Sequence, residues 1–227
     1  MNTRRILLLV VLFFVWYLLS ATELPDWVLL ATALIAPFGL LAAALLGRQA
    51  IDRDPAPQNA VRVTAAVHDA VLAFLGSGVI AAVRVFAYLR GWVVPLPDGI
   101  GLTLVILSGI LLLASNANLI LRGLGIPIAV LPTRRLASDW VYGWTRNPIV
   151  LSGTLLLFSL GVWLHSSTLI AWTLLLVLPV MIVLVRVFEE RELEIRFGDA
   201  YREYRARVPM LIPRPPRSEP EEALRTQ

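Results

Sequence analysis

The feature that most constrains this chain is a succession of six apolar runs, at residues 6–21, 27–46, 67–89, 102–121, 149–164 and 168–188. Each is 16 to 23 residues long, close to the ~20 that a helix needs to cross the hydrocarbon core of a bilayer. In hydrocarbon every backbone N–H and C=O must be satisfied by the chain itself, and an α-helix does so within one segment. The expected fold class is therefore all-α, a polytopic membrane helical bundle of about six transmembrane helices with a cytoplasmic C-terminal helical arm. Composition agrees: 16% of residues are charged and the mean hydropathy is +0.75, against about 25% charged in soluble domains. Disorder is excluded, and lipid is the solvent for much of the chain.

All 20 basic residues are Arg. In a soluble protein that balance suggests nucleic acid; here no nucleic-acid partner is expected and the Arg positions report topology. With six crossings and the N-terminus inside, every Arg except Arg84 and Arg90 falls on a cytoplasmic piece. Both termini are thus expected in the cytoplasm, and the absence of Lys suits a GC-rich prokaryotic genome and an inner (plasma) membrane. Cys is absent, which excludes disulfides, thiolate metal sites and a cysteine nucleophile. No metal site is expected, since His68 lies at a membrane boundary and His165 in an outer loop. The first run follows Arg4-Arg5 like a signal peptide, but Leu19 breaks the small-x-small cleavage pattern before Ala21, so an uncleaved helix is expected. Gly76-Ser77-Gly78 and Arg84 interrupt the third run and leave a re-entrant segment as an alternative. Arg84, six residues from Arg90, is expected to snorkel to the outer surface.

The outer connections 22–26 and 165–167 are too short to hold a site, which sends the chemistry to the cytoplasmic side. That side offers a 26-residue connection, 122–147, and the polar C-terminal arm. Segment 48–62 reads as a plain linker and 214–227 as a disordered tail. In the arm, Leu193, Phe197, Tyr201 and Tyr204 recur at helical spacing and form one apolar-aromatic stripe. Gly198 ends one short helix and Val208-Pro209 stops the next. Glu189-Glu190 lie where the last apolar run ends. One reading pairs them with Arg186, three and four residues earlier; the other gives one Glu a polar ligand. In the connection, Pro148 suits the first helical position and Asn147 the N-cap of the fifth helix. Gly123-Leu124-Gly125 follows no strand, so a dinucleotide-binding turn is rejected. Asn116 and Asn118, in the last turns of the fourth helix, suit interhelical hydrogen bonds or the lining of an acceptor channel.

Arg146-Asn147-Pro148 opens a short hydrophobic hairpin, and Glu189-Glu190, Leu193, Phe197-Gly198, Tyr201, Tyr204 and Val208-Pro209 come after it. In this order the two motifs resemble the isoprenylcysteine carboxyl methyltransferase and phospholipid methyltransferase superfamily of integral membrane enzymes. The resemblance covers residues 102–213, the expected methyltransferase core; residues 1–101 form the N-terminal helices. It implies S-adenosylmethionine as cofactor and a lipophilic small-molecule or lipid substrate within the membrane, an isoprenylcysteine-like carboxylate or a phospholipid amine. It places the cofactor at Arg134, Arg135, Leu136, Ala137, Tyr142, Asn147, Pro148, Ile149, Val150 and Glu189, with Arg146 and Glu190 as catalytic residues. For an amine acceptor, Glu190 or Tyr142 would take the proton. The chain departs from the family at Val150, where a Tyr is usual, and carries Asn147 in place of the commoner His. Two other readings stand beside this one: an NADPH-dependent membrane reductase of the steroid-reductase type, whose ending is similar, and a non-enzymatic membrane scaffold.

Overall fold

The structure, a computed structural model, describes residues 3–87, 95–123 and 135–216, with side chains from residue 6 onward. All regular structure among these residues is helical. Seven helices succeed one another in chain order: α1 (Thr3–Ala21), α2 (Asp26–Arg53), α3 (Pro57–Phe86), α4 (Asp98–Gly123), α5 (Pro148–Trp163), α6 (Ser167–Phe197) and α7 (Asp199–Arg207). Four of them, α2, α3, α4 and α6, are long and apolar enough to cross a membrane, at 28, 30, 26 and 31 residues. The 16 residues of α5 reach about 24 Å at 1.5 Å per residue, short of a ~30 Å core. The apolar part of α1 is likewise short.

The helices approach one another through small residues, as packing in lipid requires where no hydrophobic effect drives association. On α2, Gly39 faces the Phe74 ring and Gly47 faces Val67 and Phe188, while Gly78 of α3 faces Ala36. At Gly101 of α4 a Cβ would sit 2.5 Å from the backbone of Trp163, so α4 and α5 touch main chain to side-chain position. Polar side chains fix the register. Trp172 donates to the Ala33 carbonyl at 2.9 Å, tying α6 to α2, and Ser166 caps α6 while donating to the Phe86 carbonyl at 2.8 Å. Large apolar side chains such as Phe13, Phe14, Ile106 and Leu113 point outward, where a bilayer would cover them.

Two expectations about these helices change, for segment 48–62 and for the arm, while the third run is helical as expected and its re-entrant alternative falls away. Segment 48–62 is helical except at 54–56, because Pro57 starts α3 instead of breaking a linker. The third run is one continuous helix through Gly76-Ser77-Gly78, with a single wide i→i+5 turn at Leu72–Gly76. The first arm helix is the continuation of α6 beyond Phe188 to Phe197; Gly198, at φ 55°, then turns the chain into α7. Arg84 donates to the Leu19 carbonyl, capping the end of α1. Residues 217–227 of the expected tail lie outside the described residues, while Arg214 still belongs to the arm, its N–H donating to the Trp144 carbonyl at 3.0 Å.

Hydrogen bonds gather the C-terminal ends of α2 and α6 and the N-terminal half of α3 at one end of the bundle. Arg48 donates to the Val187 carbonyl at 3.1 Å, and Arg191 meets Asp52 at 3.2 Å. The connection into α5 and the arm lie at this same polar end.

Candidate functional site

The start of α5 is held by the arm. Pro148 takes the first helical position and Asn147 the N-cap, but the Asn147 amide is spent elsewhere, donating to the Met210 carbonyl at 2.9 Å. Thr145 donates to the same carbonyl at 3.1 Å, and the Arg146 N–H donates to the Pro209 carbonyl at 2.9 Å. Tyr204 of α7 donates to the Tyr142 carbonyl at 2.8 Å. Residues 209–214 thus run along 144–147, and the two motifs read from the sequence are stitched together. Asn118 adds a third strut, donating to the Asp139 carbonyl at 3.0 Å, while Asn116 bonds within α4.

The adjacent glutamates of α6 part ways. Glu190 meets Arg146 at 2.9 Å, with Arg205 at 3.8 Å on its other oxygen, and the Arg146–Glu190 side chains are 10% and 17% exposed. Arg186 takes neither glutamate and donates to the Met210 sulfur instead. The cause is the wide turn over Leu184–Glu189: one extra residue in the turn rotates the remainder of the helix by roughly 100° and breaks the expected i, i+3 and i, i+4 pairing. Glu189 faces inward, its Oε1 3.9 Å from Nε2 of His68 on α3.

Between α3, α4, α5 and α6 lies a cavity of about 490 Å³, within the 300–1,000 Å³ of small-molecule sites. One end is polar, lined by His68, Tyr142, Arg146, Asn147, Glu189 and Glu192; the other is apolar, reaching Val79, Leu112, Leu157 and Val177. All three wide turns of the bundle contribute to its wall, through Leu75, Val177 and the Leu184–Glu189 segment. A smaller cavity of about 80 Å³ adjoins it, sharing Leu119, Tyr142, Arg146, Asn147 and Leu193 and adding Arg135, Leu136, Ala137, Phe197, Tyr201 and Tyr204. The arm's stripe of Leu193, Phe197, Tyr201 and Tyr204 is therefore one wall of this smaller space.

Of the residues singled out from the sequence, Arg146, Tyr142, Asn147, Ile149, Val150 and Glu189 line the large cavity, and Arg135, Leu136 and Ala137 the small one. Pro148 is buried behind them and Glu190 is held by its two arginines outside both linings. Arg134 lies outside the described residues. Trp144, an alternative to Tyr142 as an aromatic wall, is exposed. Burial pushes the Tyr142 hydroxyl far above the usual phenol range, and the Glu189 charge adds to this; at neutral pH Tyr142 is a hydroxyl donor. The sequence reading missed His68 and Glu192, the latter buried and paired with Arg196 at 2.6 Å. Glu192, three residues after Glu189, stood in the motif as an unassigned position, and the period of α6 would have put it on the same face. Nε of Arg146 is buried without a hydrogen-bond partner among the described residues. No protein-family model, curated protein or solved structure matches the chain.

Proposed function

We propose that this chain is an integral membrane methyltransferase that uses S-adenosylmethionine and modifies a lipophilic acceptor reaching the cavity from the bilayer. The observation that carries the reading is the single cavity that joins Arg146-Asn147 at the start of α5 to Glu189 of α6 at its polar end and runs to an apolar end between the helices. The donor set suits the cofactor. The buried Arg146 Nε wants an acceptor such as a carboxylate, Glu189 offers a carboxylate to a ribose diol or ammonium, and Tyr142, Leu136 and Ala137 offer an apolar wall for a purine. When bound, S-adenosylmethionine supplies an activated methyl group on a sulfonium. The chain then has to orient and to exclude water. Glu190 keeps Arg146 in place through their 2.9 Å ion pair, and the clamp of 209–214 on 144–147 holds the start of α5 beside it. Leu112, Leu157 and Val177 hold an acceptor's hydrocarbon.

The test is incubation of the purified protein with methyl-labelled S-adenosylmethionine and a lipid extract, read by mass spectrometry. The expected result is a lipid species carrying the label. A protein that leaves every lipid unlabelled while binding NADPH would replace this reading with the reductase one.

A further inference from the structure

We propose that Gly153 of α5 is the residue that sets acceptor specificity: the side chain it lacks leaves a notch in the cavity wall that admits bulk beside the axis of the acceptor's hydrocarbon, a methyl branch or a ring. The inference rests on the methyltransferase reading and concerns the width of hydrocarbon that the apolar end takes, whatever group receives the methyl. α5 lines the large cavity with Ile149, Val150, Gly153, Thr154, Leu156 and Leu157. At about 100° per residue these positions span about 160° of the helix, and Gly153 lies within about 20° of their middle. The centre of the face that α5 turns to the cavity is thus the one position on it without a side chain. A Cβ built there would meet nothing within 4 Å, so the space in front of it is the cavity itself. Gly153 stands six residues past Asn147, about 9 Å along the helix at 1.5 Å per residue. It lies beyond Arg146 and Asn147 of the polar end and ahead of Leu157 of the apolar end, and a ligand that reaches from one end to the other passes it.

Packing does not account for this glycine. A glycine inside a helix weakens it relative to alanine. At Gly39, Gly47, Gly76, Gly78, Gly101 and Gly161 the reason is close approach, because neighbouring atoms stand 2.3 to 2.6 Å from the place of a Cβ. Gly99 and Gly109 face open space, but neither lines the cavity. Among the described glycines only Gly153 combines an open Cβ direction with a place in the cavity wall. Val150, three residues earlier on the same face, adds no more than an isopropyl group, so two successive turns keep this wall low. Toward the apolar end the walls from α3 and α6 carry full side chains, Leu75 and Val79 on one and Val177 and Met181 on the other. The notch on α5 is where the cavity has width to give.

The experiment uses the full chain in fluid phosphatidylglycerol vesicles with methyl-labelled S-adenosylmethionine and acceptors matched in head group and main-chain length. The pairs are S-farnesyl- against S-dodecyl-N-acetylcysteine, and diphytanoyl- against dipalmitoyl-phosphatidylethanolamine; one member of each carries methyl branches. The parent should use the branched member of an accepted pair with the higher kcat/KM, since its side groups fill the notch. Gly153→Leu should lower kcat/KM for that member by roughly tenfold to two-hundredfold, the usual effect of a methylene-sized misfit in an apolar pocket, chiefly through KM, and should cost the unbranched member less. Gly153→Ala, whose methyl the open space accommodates, should move the ratio the same way by a smaller amount. Thermal stabilisation of the purified chain by each acceptor reads the same preference without turnover. Calorimetric binding of S-adenosylmethionine, unchanged in both variants, separates a narrowed cavity from a damaged fold. A parent indifferent to branching by both readouts, or a Gly153→Leu variant with the parent's ratio, overturns the assignment while leaving the methyltransferase reading intact. A parent chain that binds no S-adenosylmethionine overturns both.

Discussion

At the residue scale the site is built from opposed charges, and its most buried pair is costly to break from one side. Arg196 and Glu192 face each other at 2.6 Å with side chains only 10% and 5% exposed. Removing one partner of a buried pair costs about 3–5 kcal/mol, because the other charge is left uncompensated. Arg196→Ala should therefore lower the unfolding temperature in detergent sharply, and replacing Glu192 by Gln as well should recover most of the loss; equal stability of the single variant and the parent would contradict the pairing. Tyr201 offers a second test. Burial, with the Glu190 charge, pushes its hydroxyl from 10.0 up to about 12, against the lowering effect of Arg146 and Arg205. The folded state holds that proton more tightly than the unfolded one, so the contribution is complete below pH 10 and is lost as pH climbs to about 12. Unfolding temperatures measured across that window should fall, and Tyr201→Phe should flatten the fall. Motif residues such as Arg146, Asn147 and Glu189 were legible in the sequence because a hairpin with a three-residue turn must bring its two ends together. His68 was not, since nothing in local spacing says that α3 packs its face against α6.

At the element scale, helix lengths and wide turns decide what the cavity can be. Three i→i+5 turns, at Leu72–Gly76, Thr173–Val177 and Leu184–Glu189, lie along its walls. The one at Thr173–Val177 precedes Pro179, whose missing N–H a regular helix would leave as a gap. Hydropathy reads such turns as ordinary helix, which is why the run boundaries were legible and the side-chain register after Leu184 was not. The segment 48–62 was misread for a related reason. Asp52, Asp54, Pro55 and Pro57 look like loop chemistry, yet Pro57 is a helix start and Asp52 meets Arg48 and Arg191. The contact of α4 with α5 gives a prediction free of charge effects. A Cβ on Gly101 would meet the Trp163 backbone at 2.5 Å, which no rotamer relieves, whereas Gly109 on the same helix has nothing within 4 Å. Gly101→Ala should destabilise by about 1–3 kcal/mol through overpacking, and Gly109→Ala should be neutral or stabilising by up to about 1 kcal/mol from helix propensity. Thermal unfolding of both variants in detergent checks the contrast, and equal effects would contradict the packing.

At the scale of the whole molecule, the chain is a helical bundle with four helices able to span a bilayer and a polar end where α2, α3, α6, α7 and the start of α5 meet beside the cavity that lies between α3, α4, α5 and α6. Placing that end in the cytoplasm rests on the Arg distribution, since only Arg84 and Arg90 fall elsewhere in a six-crossing topology. Reporter fusions after Asp54, Gly123 and Gln227 should all read cytoplasmic, and a signal from the opposite side at any of them would overturn the topology. The short α1 and α5 fit that topology if the bilayer thins around them or their polar flanks snorkel. The proposed chemistry depends above all on the cavity's polar end holding S-adenosylmethionine between Arg146 and Glu189. Calorimetric titration of the purified chain with S-adenosylmethionine is the decisive measurement. The parent should bind saturably, and Glu189→Ala and Arg146→Ala, both still monodisperse, should each lose one charge-assisted hydrogen bond worth about 1.5–3 kcal/mol, roughly tenfold to a hundredfold in affinity. No binding by the parent, or binding by both variants equal to the parent's, would contradict it.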